Sequence, residues 1–232
     1  MSPTVLPRLI VPDPARFPTD CEPLEEIAAT QPADAAAALG FGLSRMIGAG
    51  VKAAAKDRRP MAVVTTGEWL RERGRPFSHG LAAWGLAPDR LIWIRAEREG
   101  EALWALEETL KSGAVAAALA TIEAPPFVAT RRVDFAARAG GAVGLLIRAR
   151  PAADLSAARR RWRIASLASA EDRFDLLAPG AGRLRAELAR RRDGPPGAWD
   201  LERDDETGGL RVVAGLAGHG VETRPAATVR AA

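Results

Sequence analysis

The sequence predicts an α/β domain in which a mostly parallel sheet lies between helix layers and ends in an antiparallel C-terminal extension. Three observations carry this. Short apolar runs without alternation, the pattern of strands buried on both faces, recur through Arg150. They alternate with segments of helical periodicity. From Ala157 the texture changes to strict apolar–polar alternation, the pattern of strands with one wet face.

Prolines at positions 3, 7, 12, 14 and 18 predict that residues 1–23 form an irregular arm. The ordered domain then spans 24–213. LEEIAAT is its first strand, TQPAD a turn, and Ala35–Ala55 a helix with Asp34 as its N-cap. RRPMAVVTT forms the second strand, HGLAAWGL a helical stretch and RLIWIRA the third strand. In EGEALWALEETLKSG, Leu103, Leu106 and Leu110 recur at helical spacing and Gly113 closes the helix. The strand AVAAALATI, the helix RRVDFAARAGG and the strand AVGLLIRAR follow. ARRRWRIASL then alternates strictly, RLRAELARRRDG is another strand, and GAWDLERDDETGGLRVV reads as a hairpin turned at DDETGG. Residues 214–232 are small and polar enough to form a disordered tail.

The chain of 232 residues suffices for one domain with a substantial core. A single cysteine, Cys21, excludes an internal disulfide and a zinc cluster and fits a reducing compartment. No apolar run approaches the roughly 18 residues of a membrane span, and no secretory leader opens the chain, so a cytoplasmic protein without a membrane partner is expected. Of 33 basic residues only Lys52, Lys56 and Lys111 are lysines, an arginine bias that discounts arguments from arginine alone. The basic excess is concentrated in residues 127–192. That is the footprint of a polyanion partner or of a solvated surface.

LEEIAATQPADAAAALGFGL, GLAPDRLIWIRAEREGEALWALEETLKSGAVAAALATIEA, ATRRVDFAARAGGAVGLLIRARPAA, SAARRRWRIASL and ELARRRDGPPGAWDLERDD together resemble the ImuA family, RecA-related accessory proteins of bacterial damage-inducible mutagenesis. The resemblance spans roughly Leu24 to Val213, with DRLIWIRA…ALWALEE…SGAVAA its most specific part. It implies a RecA-like three-layer α/β/α core.

On that pattern the turn Ala29–Ala36 occupies the phosphate loop. A working loop, GxxxxGK[ST], needs glycines so that its N–H groups close on phosphate oxygens, a lysine for the β and γ phosphates and a hydroxyl for magnesium. Here Asp34 stands at the second glycine position, Ala35 at the lysine and Ala36 at the hydroxyl. Thr121 ends the later strand where a magnesium-binding aspartate belongs, and Glu68 falls near the catalytic glutamate. Asp34 at a helix N-terminus also satisfies the dipole that otherwise recruits an anion. Glu123 is the one carboxylate placed to substitute at the strand end, although a lone acidic loop residue is more often solvated. Neither nucleotide nor other cofactor, and no enzymatic activity, is expected. IEAPPFVATR and RARPAADLSAARR, in the places of the recombinase DNA loops, are too short to wrap a strand.

Arg159, Arg161 and Arg163 share one face of ARRRWRIA, with Arg160, Trp162 and Ile164 on the other. With Arg190, Arg191 and Arg192 they form a candidate DNA-binding surface or a solvated strand face, two readings the sequence leaves even. At least four of the six tryptophans (69, 84, 93, 104, 162 and 199) should pack in the core, with Trp69 the first choice as a partner anchor. His79 and His219 are solitary. The resemblance implies as partners an ImuB-like inactive Y-family polymerase and the error-prone C-family replicative polymerase, with RecA and DNA as further candidates. The rival readings are a SulA-like damage-inducible division inhibitor and a divergent RecA-like ATPase.

Overall fold

The computed structural model describes residues 17–52, 59–83, 86–172, 174, 175, 177–192, 194–204 and 209–213. The expectations for most of the arm, for residues 53–55 of the long helix, for Trp84 and His219 and for the tail lie outside the described residues.

Among the described residues nine strands form one sheet: β1 (Leu24–Ala29), β2 (Met61–Thr66), β3 (Leu91–Ala96), β4 (Ala117–Thr121), β5 (Val143–Arg148), β6 (Arg160–Leu167), β7 (Arg183–Arg191), β8 (Gly197–Arg203) and β9 (Leu210–Val212), in the order β3-β2-β4-β5-β1-β6-β7-β8-β9. All pairings from β3 to β6 are parallel, and those from β6 to β9 antiparallel. The antiparallel extension therefore starts one strand later than the alternation of ARRRWRIASL suggests. That strand alternates because only one of its faces is covered, whatever the direction of its neighbours.

The helices are α1 (Ala35–Lys52), α2 (Gly67–Arg73), α3 (Ser78–Ala83), α4 (Glu99–Lys111) and α5 (Phe127–Gly140). Period-two strands divide the core into two layers. Ile27, Val63, Leu119, Leu145 and Trp162 pack with Phe41 and Met46 of α1. Val64, Ala118, Ala120 and Leu146 pack with Leu103, Leu106 and Leu110 of α4 and Val133 and Ala137 of α5 on the opposite face. Three layers, α/β/α, result. The inner faces of β6–β9, through Ile164, Leu184, Leu188, Trp199 and Leu201, extend the α1 layer, while their other faces stay wet.

α2 was not legible as a helix. Thr66 caps it by accepting the Trp69 N–H at 3.2 Å, and Gly74 ends it at φ 73°, a conformation that favours glycine. α5 begins at Phe127, so the loop expected over 122–131 shrinks to 122–126, with Pro126 supplying the extended residue before the helix.

Residues 17–23 have no regular structure but are held firmly. Phe17 stacks edge-on against Trp199 at 5.4 Å. Buried Arg45 donates to the carbonyls of Pro18 at 2.6 Å and Asp20 at 2.5 Å, and Arg160 donates to the Asp20 carbonyl at 2.7 Å and its carboxylate at 3.0 Å.

Candidate functional site

The C-terminal ends of parallel strands are where α/β sheets bind ligands, and here they border a cleft of about 550 Å³. Ala35 and Leu39 of α1, Thr66 at the end of β2, Glu68, Trp69, Glu72 and Arg73 of α2, Glu97, Arg98 and Glu99 after β3, Thr121, Ile122 and Glu123 after β4, and Arg148 of β5 line it.

The turn entering α1 has no anion cradle. The Thr30 N–H donates to Ile164 O at 2.8 Å, Gln31 N–H to Asp34 Oδ2 at 3.2 Å, Asp34 N–H to Gln31 O at 2.9 Å and Ala35 N–H to Pro32 O. Pro32 has no N–H at all. The only positive-φ glycines among the described residues are Gly74, Gly113 and Gly141, none of them in this turn. Amides already bonded within the chain cannot also enclose a phosphate.

Asp34 requires a correction. A tight helical turn over Pro32–Asp34 precedes α1, and the buried Asp34 carboxylate turns back to Gln31 and across to the Ser166 N–H, at 2.8 Å, instead of capping the first amides of α1. It does not line the cleft. The negative charge there comes from Glu68, Glu72, Glu97, Glu99 and Glu123, of which only Glu68 and Glu123 were singled out in the sequence. The other three are contributed by α2, which was missed, and by the segment after β3. Ala35 lines the cleft where the resemblance puts the lysine, and Ala36 lies one residue further into α1. Thr121 ends β4 as expected; it is 5% exposed, and its hydroxyl has no hydrogen-bond partner. Glu123 is exposed, and its N–H donates to Glu99 Oε1 at 2.6 Å.

The arginine clusters do converge. β6 and β7 are neighbours, with Arg161 opposite Arg190 and Arg160 opposite Arg191. A bulge at Ala189 shifts the register between Arg161 and Trp162, and so turns Arg190 to the wet face that bears Arg161. Arg161, Arg163 and Arg190 border a hollow of about 180 Å³ with Glu26 and Arg148.

Acidic partners hold most of this face. Arg161 pairs with Glu26 at 2.7 Å, at an angle that leaves its Nε–H without a hydrogen bond, and lies 3.5 Å from Asp154. Arg163 lies 3.5 Å from Glu187, Arg185 bonds Asp200 at 2.8 and 3.0 Å, and Arg183 bonds Glu202 at 2.6 Å. Arg159 lies 3.7 Å from Glu22. Exposed Arg190 and Arg192 remain at the rim, with Arg191 half-buried beside them.

Among the described residues, Trp162 and Trp199 are fully packed in the core, and Trp93 and Trp69 are half-buried. Trp104 is 61% exposed, more than Trp69, because one residue past Leu103 it is turned about 100° away from the sheet. The expectation of four core tryptophans is therefore not met among the described residues. His79 stacks on Phe77 at 4.9 Å. Burial pushes the Cys21 thiol up to about 11, so it stays protonated at neutral pH. Among the described residues no three His, Cys, Asp or Glu side chains converge as metal ligands, and no helix is long and apolar enough to cross a membrane.

No family model matches the chain. Protein ImuA of Caulobacter vibrioides, strains NA1000 / CB15N and ATCC 19089 / CIP 103742 / CB 15, is 37% identical over 178 residues, covering 71% of this chain and 71% of the relative. Cell division inhibitor SulA of Edwardsiella piscicida is 32% identical over 81 residues, 34% of this chain and 47% of that protein. The crystal structure of SulA from Pseudomonas aeruginosa matches 55% of this chain and 98% of its own at 20% identity, with a TM-score of 0.39. Identity at this level over more than two thirds of both proteins settles the family: the chain belongs to the ImuA family.

Proposed function

We propose that this chain is a non-catalytic accessory protein of damage-induced, error-prone translesion synthesis, built on a RecA-like core that has lost its nucleotide site. Family membership supports the accessory role. The observation that carries the absence of catalysis is the β1–α1 turn, whose amides bond within the chain beside a cleft with five glutamates. A triphosphate brought there meets like charge and no cradle. The protein contributes binding energy and geometry rather than bond-making. Its partners are an ImuB-like inactive Y-family polymerase and the error-prone C-family polymerase, with RecA a further partner and DNA a weak ligand of the arginine rim.

Affinity purification of the tagged chain from DNA-damaged cells tests this, with recovery of the polymerase components expected. Micromolar, magnesium-dependent ATP binding by calorimetry would overturn it. A second reading, division inhibition, draws on the 81-residue stretch shared with SulA; recovery of a division GTPase in place of polymerase components would establish it.

A further inference from the structure

We propose that the strand-end cleft is a docking pocket for an arginine- or lysine-bearing segment of a protein partner, an inference that rests on the reading of this chain as a protein-binding module. The cleft is large enough for one or two long side chains. Its charge is unbalanced. The carboxylates of Glu68, Glu72, Glu97 and Glu123 have no ion-pair partner among the described residues, and all four are exposed. Of the lining arginines, Arg98 is held by Glu101 at 2.9 Å and Arg148 by Asp154 at 3.0 Å, and neither of those acids lines the cleft. Only Arg73 offsets the excess. The chain as a whole carries +4, so this acidity is local.

Two further features select a cationic side chain over other occupants. Trp69 lies half-buried in the same wall, and an aromatic face beside carboxylates is the chemistry that holds a guanidinium or ammonium group. Thr121 lines the same cleft with its side chain buried and its hydroxyl without a hydrogen-bond partner, an unmet polar group in the cleft wall. A concave acidic wall also focuses its field more than a solvated convex face does. A nucleotide is repelled, and the carboxylates do not converge as metal ligands.

The test uses the full chain and a fluorescein-labelled oligo-arginine peptide, with the same peptide made of uncharged citrulline as control, read by fluorescence anisotropy. Binding of the arginine peptide is expected, weakened about tenfold in the citrulline peptide and in Glu68→Gln combined with Glu123→Gln. Trp69→Leu should also weaken it, and Glu187→Gln on the sheet face should leave it unchanged. Equal affinity in the cleft variants and the wild type, an equal loss in Glu187→Gln, or displacement of the peptide by magnesium at constant ionic strength each overturns the proposal. Thermal melts of the variants check that folding is retained, the glutamate variants being altered at exposed or half-exposed side chains. Failure of the peptide to bind while polymerase components are still recovered from damaged cells sinks this pocket alone. Peptide binding without that recovery sinks the accessory role and leaves the pocket standing.

Discussion

The indole Nε1–H of Trp162 donates to Glu25 Oε2 at 2.8 Å across the parallel β1–β6 pairing, in the fully buried centre of the domain. The same carboxylate accepts from Arg45 at 2.6 and 3.2 Å, from Arg160 at 3.4 Å and from the Glu22 N–H at 2.9 Å. One acid thus pairs with two buried guanidinium groups, sharing Arg160 with Asp20, and joins β1, α1, β6 and the segment before β1.

Removing it leaves the buried Arg45 without its carboxylate and takes one from Arg160. Glu25→Ala is expected to lower stability by about 3–5 kcal/mol, as for other buried pairs that lose one partner, and urea denaturation measures the loss.

Placing phosphate-loop side chains in the β1–α1 turn should not create a nucleotide site. Ala35→Lys with Ala36→Thr supplies the lysine and the hydroxyl, but the N–H groups of Thr30, Gln31, Asp34 and Ala35 remain bonded to Ile164, Asp34, Gln31 and Pro32 oxygens. Calorimetry with magnesium-ATP is expected to show no binding by the double variant.

Acid should weaken the fold. Burial raises the Asp20 carboxyl, but the hydrogen bond and charge of Arg160, with Arg45, outweigh it and hold the group below its ordinary value. Glu202 behaves likewise, burial being outweighed by Arg183 and Arg211, and Asp154 is lowered first by its hydrogen bond to Arg148. Folding therefore favours the ionised forms. Their contribution is complete above the unfolded carboxylate values, about 4, and is lost as pH falls through the lower folded values. The Tm is expected to drop below about pH 4, with a shallower drop in Asp20→Asn.

On the arginine face, rim residues rather than paired ones should govern nucleic-acid affinity. Arg190→Ala with Arg192→Ala is expected to reduce the salt slope of oligonucleotide binding by about 2, while Arg185→Ala, whose side chain is bound to Asp200, changes it little. Anisotropy titrations at several salt concentrations measure both.

Gly140→Ala should be damaging for a local reason. A Cβ there would stand 1.9 Å from the Leu110 carbonyl oxygen, backbone that cannot swing aside. α4 and α5 would have to separate, at a cost of about 3 kcal/mol, which a shift in the denaturation midpoint measures.

The sheet and the three long helices were legible because their signals are periodic and local: Leu103, Leu106 and Leu110 on α4, the unbroken apolar runs of β2 and β4, and the alternation around Trp162. The alanines at 35 and 36 and Thr121 were placed correctly along the chain, at the start of α1 and the end of β4. What escaped depended on contacts distant in sequence. Asp34 looks like a helix cap until Ser166, 132 residues later, arrives to bond it. The acidity of the cleft comes from three separate segments that only the parallel topology gathers. The pairing of Arg185 and Arg183 with Asp200 and Glu202 needed the β7–β8 register.

The wet side of β6–β9 has a consequence for how this lineage changes. Its packing residues all point the other way, toward α1, so the outward positions answer to no constraint of interior shape. Exposed side chains such as Arg163 and Arg185 can be exchanged there at little cost to the fold, whereas Glu202, buried beneath Arg183 and Arg211, cannot.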